Sequence, residues 1–245
     1  MIEDSKQSLV ENFMQHFSIE LADQKQKLEI FRLRYRVYCE EFHYESAESF
    51  CEPLEYDQYD QQSLHCIVIH RRNRIPAGCV RLVLTHNDRT KDPLPFEKYC
   101  ASSLNEELLK SLNLDRQYVC EISRLAVDGI FRQSHQKLKA DYGELFNFSD
   151  AEQKTFPLIS VSCFLAATYL TEMSNRTQVF AMMEPFLPRM LKRAGISFER
   201  VGYDMSYHGI RAAYFIRTQS ALENMHPELR ELYNWIKYNI ENNIR

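Results

Sequence analysis

Apolar residues mark out most of the elements of this chain before any single motif is considered. From Leu28 they fall at Leu28, Phe31, Tyr35, Tyr38 and Phe42, the three-or-four spacing of an amphipathic helix, whose other face carries Arg32, Arg34 and Arg36. The acidic stretch from Glu45 to Gln62 contains Pro53 and sustains no period, so it reads as a long ordered loop, and its length points to function. Two apolar runs follow, His65 to His70 and Ala77 to Leu84, joined by the polar turn Arg71 to Ile75. Together they predict a β-hairpin, with Pro76 at the edge where the second strand starts. Residues 91–117 are turn-rich and then weakly helical through Leu104, Leu108, Leu109 and Leu112, and Tyr118 to Val127 reads as a central strand.

The segment Asp128 to Thr155 is polar and aperiodic, which predicts a mobile, partly disordered loop. Beyond it the pattern predicts a buried helix over Leu158 to Met173 and a strand over Gln178 to Met183. A helix over Pro185 to Ala194 is capped by Gly195, and strands cover Phe198 to Tyr207 and Arg211 to Arg217. An amphipathic helix from His226 to Ile244 closes the chain through Leu229, Leu232, Tyr233, Ile236 and Ile240. The order implies a mixed sheet covered by helices. No repeat or linker divides it, so the expectation is one α/β domain over 1–245, with a core of about 24–217 and a C-terminal helical extension over 218–245.

Composition narrows the function classes. With 245 residues, 44% of them hydrophobic, the chain can bury a full core. A formal charge of -4 supplies no basic field, so no nucleic-acid partner is expected. Charges interrupt residues 1–30, and the longest apolar stretch, Ile159 to Leu170, is broken by Ser and Thr. Neither a secretory leader nor a membrane span is expected, and a soluble cytoplasmic protein is. Seven cysteines lie apart without a C-x-x-C pair or a zinc-spaced His cluster, so they read as free thiols used for packing, with no metal site. Phe164, Tyr169, Phe180, Phe186 and Phe198 are expected around the sheet.

Several charges sit beside or inside apolar runs: Arg34 with Tyr38 and Tyr44, Glu55-x-Asp57-x-x-Asp60, Arg81 within a strand, and Glu121-x-Ser123-Arg124. Charges in such places need partners. Their order and spacing resemble the signature of acyl-homoserine-lactone synthases, with Tyr38 and Tyr44 where that family usually has Phe and Trp. The run Phe31-Arg-Leu-Arg-Tyr-Arg-Val-Tyr-Cys-Glu-Glu-Phe is similar to N-acyl amino acid synthases and to the exosortase-associated acyltransferases. The resemblance covers roughly residues 28–127 well and 158–217 loosely.

It implies a GNAT fold: a mixed, mostly antiparallel central sheet flanked by helices, with an additional C-terminal helix. It implies an acyl thioester donor and an amine acceptor, with no tightly bound cofactor. The donor is the phosphopantetheine thioester of an acyl-carrier protein, or acyl-coenzyme A. Arg34, Tyr38, Tyr44, Asp57, Asp60 and Arg81 would shape the acceptor side, and Glu121, Ser123 and Arg124 the catalytic strand. An amine that is protonated at neutral pH needs a base, and Glu121 in an apolar strand could have the raised pKa that suits this. The alternative is a structural pair between Glu121 and Arg124. A kink in this strand, also implied by the resemblance, would free backbone N–H groups for an oxyanion. Asp57 and Asp60 fit either a loop clamp on Arg34 and Arg81 or a clamp that also forms a binding wall, while His65 and His70 read as structural.

Many GNAT enzymes cradle pyrophosphate on glycine amides after this strand, where Arg132-Gln-Ser-His135-Gln-Lys137 has none. That favours a carrier-protein donor, with Arg132, Arg189, Lys192 and Arg193 as its contacts or, equally, as a solvated basic face. Transfer of a long-chain acyl group to an amino acid leads. An acyl-homoserine-lactone synthase using S-adenosylmethionine and a non-catalytic acyl-binding module are the alternatives.

Overall fold

The computed structural model describes residues 8–85, 93–133, 137 and 146–243. Its centre is the expected hairpin, β2 (Ser63–His70) and β3 (Ile75–Leu84), with Arg74 at φ 54° in the turn. Strand β4 (Val119–Val127) lies antiparallel to β3. Strand β5 (Gln178–Met183) runs parallel to β4, and β8 (Ile210–Arg217) pairs antiparallel with β5. Short strands β6 (Glu199–Arg200) and β7 (Met205–Ser206) both pair with β8. At the far edge β1 (Phe17–Leu21) pairs with β2, giving the order β1-β2-β3-β4-β5-β8-β6.

One sheet face is buried under helix α6 (Pro157–Met173), which starts on a proline at its first turn and buries residues all round. Outside it, after the short α8 (Thr218–Asn224), lies the C-terminal helix α9 (Pro227–Asn243), whose Leu232, Tyr233, Ile236 and Ile240 complete the same core. Helix α1 (Leu9–His16), capped by Ser8 and Glu11, adds Phe13, which stacks on Phe17 at 4.8 Å. Neither α1 nor β1 is anticipated by the pattern, because about two turns of helix and a five-residue edge strand carry too few periods to register. Among the described residues no helix is long and apolar enough to cross a membrane.

The opposite face has two apolar covers. Helix α2 (Gln24–Tyr35) and the π-helical turn Arg36–Glu41 set Ile30, Leu33, Val37 and Tyr38 against Ile67, Ile69, Cys79 and Ala126. Helices α3 (Pro95–Tyr99) and α4 (Glu106–Ser111) with their flanks set Leu94 and Phe96 against Val119, Phe180 and Phe215. Along β3 and β4, alternation then leaves Arg81, Glu121 and Ser123 in the seam between the covers. The polar site occupies that seam.

Four expectations are corrected here. The inward face of α2 and the π-helical turn is Ile30, Leu33, Arg34, Val37 and Tyr38, while Leu28 and Phe42 are each 43% exposed. The amphipathic spacing puts Arg34 on the outward face, toward water, but carboxylates meet it inside. The segment 128–155 is ordered wherever it is described. Residues Gly129–Phe131 form a 3-10 turn, α5 (Asp150–Thr155) is capped by Ser149, and Phe131, Phe148 and Glu152 are buried. Widely spaced aromatic anchors give no period to read, and residues 134–136 and 138–145 lie outside the described residues. The strand over Phe198 to Tyr207 is two short strands, split where Gly202 bridges to Leu104. A Cβ there would meet the Ser103 carbonyl at 2.9 Å. Phe186 is 53% exposed rather than packed on the sheet. All seven cysteines are free and six are buried, with Cys51 exposed.

Candidate active site

Strand β4 does not run regularly. Cys79 faces Ala126 but Arg81 faces Ser123, so β4 carries one residue more than β3, and Arg124 in that interval sits at φ 51°. This is a β-bulge, and it turns Arg124 toward the same cavity as Glu121 and Ser123, which strict alternation would have prevented. The ladder to β5 runs only from Val119↔Gln178 to Ile122↔Ala181. Beyond it the strands part, leaving a cavity of about 100 Å³ between Ser123, Arg124 and Leu125 on one side and Met182 and Met183 on the other.

Glu121 stands where the strands part and is 2% exposed. Its carboxylate accepts a hydrogen bond from the Phe96 N–H at 2.9 Å. Burial pushes its pKa up to about 8, against the opposing pull of that N–H and of Arg81. No ion pair joins Glu121 to Arg124 among the described residues. Arg124 instead pairs with Glu55 at 3.1 Å and with Glu45 and Asp57 at 3.3 Å each.

The other predicted charges form one network. Arg34 is wholly buried, donates to Glu55, and forks onto Asp60 at 2.6 and 3.0 Å. Arg81 reaches Asp57 at 2.6 Å and Asp60 at 3.1 Å, and its Nε donates to the Ser123 hydroxyl at 3.0 Å. Tyr38 lines the cavity, and Tyr44 stands behind it. Tyr38 donates to the Leu125 carbonyl at 3.0 Å and lies under the Arg124 guanidinium, and Tyr44 lies under that of Arg211. His65 approaches Asp60 at 3.5 Å, and burial lowers its pKa to about 4. His70 bonds Glu152 at 3.0 Å, remote from the cavity.

Several lining residues escaped the sequence reading. Glu45, Tyr207, His208 and Arg211 line the cavity, the last three on or beside the β7–β8 turn, where His208 and Gly209 have φ of 50° and 94°. The Tyr-His-Gly run was a readable turn signal. His208 touches the Tyr44 carbonyl at 3.0 Å. Burial, then Arg124 and Arg211, lower its pKa. Burial raises that of Tyr207, keeping it an O–H donor.

The basic residues predicted for the donor are elsewhere. Arg132 donates to the Val127 carbonyl at 2.9 Å and pairs with Glu41. Arg189, Lys192 and Arg193 are exposed on α7 (Leu187–Arg193), which follows β5 past the cavity, beside Phe186 and Met190 at 53% and 54% exposure.

Comparison with known proteins agrees with this geometry. Residues 33–139 match the family model described as acetyltransferase (GNAT) domain. The chain resembles the crystal structure of TofI in a ternary complex with an inhibitor and MTA, at TM-score 0.58 and 21% identity over 87% of this chain and 99% of that one. It resembles the CoA-dependent acyl-homoserine lactone synthase MesI at TM-score 0.56 and 16% identity, over 90% and 95% of the two chains. FeeM, an N-acyl amino acid synthase from uncultured soil microbes, aligns at TM-score 0.54 and 11% identity, over 85% and 94%. No curated protein sequence matches. These likenesses show the GNAT fold, and residues 33–139 match its acetyltransferase domain.

The network makes a stability prediction. Burial by itself would raise the Asp60 pKa, but Arg34 and Arg81 outweigh it and hold the carboxyl well below the usual range. A depressed folded pKa gives stability that is present above the unfolded value of about 3.9 and lost as pH falls through the folded one. Asp60→Asn should therefore cost about 3–5 kcal/mol at pH 7, and the gap to wild type in denaturant unfolding should narrow as pH falls below about 4. A gap that stays constant from pH 7 to pH 3 would refute the assignment.

Proposed function

We propose that the protein is an N-acyl amino acid synthase, moving a long-chain fatty acyl group from an acyl-carrier-protein thioester to the amine of an amino acid or related small molecule. The observation that carries this is Glu121, a buried carboxyl with a pKa near 8 where β4 and β5 part, beside the bulge at Arg124. An ordinary glutamate is too weak a base for an ammonium group, whereas one raised toward 8 is matched to it.

In this reading the acceptor ammonium gives its proton to Glu121, directly or through water, and the free amine attacks the thioester carbonyl. Backbone N–H groups freed at the Ser123–Arg124 bulge hold the resulting oxyanion. The intermediate collapses with cleavage of the C–S bond; the Tyr207 hydroxyl, which lines the cavity, donates its proton to the departing thiolate and recovers one from the nitrogen, which loses its remaining extra proton as the amide forms. Ser123, held by Arg81, fixes the bulge. Arg34, Asp57, Asp60 and Arg81 hold the acceptor wall to which Tyr38 and Tyr44 belong.

The donor thioester enters where the strands part. The exposed face of α7 combines Arg189, Lys192 and Arg193 with Phe186 and Met190, a surface suited to an acidic, partly apolar carrier protein. Arg132 lies on the loop after β4. Both carrier-protein and coenzyme A donors fit a parted β4 and β5, and MesI is described as CoA-dependent. The glycine-free stretch from Arg132 to Lys137 favours the carrier protein. The cytoplasm, where such donors are made, is the setting this reading implies.

Two outcomes test the proposal. Purified protein given matched acyl-acyl-carrier protein and acyl-coenzyme A with an amino acid mixture should release N-acyl amino acids, with kcat/KM favouring the carrier-protein thioester. Equal or better turnover of the coenzyme A thioester would remove the donor assignment, and a lactone formed from S-adenosylmethionine would move the protein to the homoserine-lactone class.

Glu121→Gln should fold with a melting temperature near wild type and lose about a hundred- to ten-thousand-fold in kcat. Wild-type activity should rise with pH through about 8, as the carboxyl becomes the base, and the variant should lack that limb. A variant that melts early yet keeps the rate and pH profile would assign Glu121 a structural role.

A further inference from the structure

Of the four arginines around the cavity, three are committed to carboxylates. Arg34 holds Glu55 and Asp60, Arg81 holds Asp57 and Asp60, and Arg124 holds Glu45, Glu55 and Asp57. Arg211 differs. Its Nε donates to the His208 carbonyl at 3.1 Å and its guanidinium lies over the Tyr44 ring at 5.6 Å, but among the described residues it ion-pairs with no carboxylate. It nevertheless lines the cavity that contains Glu121.

These contacts fix the group in place without neutralising it. The Tyr44 ring and the His208 carbonyl hold the plane of the guanidinium, so little side-chain freedom remains to be lost when an anion docks. The cavity is therefore lined by an acidic group at Glu121 and by a cationic one at Arg211. Such a pair of poles complements a zwitterion: an ammonium next to the group that must deprotonate it, and a carboxylate next to an arginine with donors to spare.

We propose that Arg211 is the subsite for the acceptor's α-carboxylate, and that it makes the enzyme select α-amino acids over simple amines by positioning the amine toward Glu121. This rests on the amine-acceptor reading above and goes beyond it, because acyl transfer to an amine does not by itself require a carboxylate. The β7–β8 turn thereby becomes a specificity element. His208 and Gly209, at φ of 50° and 94°, bring Tyr207 and Arg211 to the cavity rim.

The test uses acceptor pairs that differ only by the carboxylate: leucine with isoamylamine, phenylalanine with phenethylamine, and tyrosine with tyramine. For each, the ratio of kcat/KM for amino acid over amine is measured in wild type, Arg211→Gln and Arg211→Lys. Wild type should favour the amino acid. Arg211→Gln should lower the ratio about 10- to 100-fold, chiefly through KM, and Arg211→Lys, which keeps the charge without the fork, should lose less. Because the ratio is internal to each variant, partial misfolding cancels from it. A ratio unchanged by Arg211→Gln, or equal use of both members of each pair by wild type, overturns the carboxylate subsite and leaves the acyltransferase reading standing. A wild-type enzyme that acylates no member of any pair overturns both.

Discussion

The structure depends first on a guanidinium that has no access to water. Arg34 is wholly buried, and its burial is tolerable only because Asp60 meets it with a two-pronged hydrogen bond and Glu55 takes its Nε. An unpaired ion at that depth would cost several kcal/mol. The need to satisfy Arg34 draws the long loop containing Glu55, Asp57 and Asp60 back onto the sheet. There its remaining oxygens engage Arg81 on β3 and Arg124 on β4. One helix, one loop and two strands are thus fixed by a single cluster. Pairs of this kind are weak stabilisers compared with apolar packing, and what they supply here is position.

Position matters because β4 breaks its own regularity at Arg124. A bulge with a non-glycine residue at φ 51° is strained, and the carboxylates on Arg124 hold it. Past the bulge β4 leaves β5, and the gap is the cavity that Glu121 lines. Two acids on the same polar seam are then pushed in opposite directions. Asp60, between two arginines, stays ionised far below its usual range. Glu121, one strand away and against the stacked rings of Phe96 and Phe180, is raised toward 8. The first holds the frame and the second is left able to exchange a proton.

Much of this was readable from residue order. The hairpin, the central strands, the buried helix α6 and the terminal helix follow from periodicity. Arg34, Asp57, Asp60, Arg81, Glu121 and Arg124 drew notice as charges among apolar neighbours, and the structure brings all six to one seam. What escaped did so for physical reasons. The inward turn of Arg34 defies an amphipathic reading because its partners lie 21 and 26 residues downstream. Closeness in sequence suggests Glu121 as a partner of Arg124, but the bulge gives Arg124 to the acidic loop instead. Tyr207, His208 and Arg211 reach the cavity through the turn between β7, whose two residues have no period, and the start of β8.

The central claim is that burial sets Glu121 apart as the proton acceptor of the cavity. Its most direct test is a titration of that one carboxyl by carbon-13 NMR or isotope-edited infrared difference spectroscopy, with Glu121→Gln identifying the signal. The account predicts a midpoint near 8 in the free protein. A midpoint near the ordinary glutamate value of about 4.3 would contradict it.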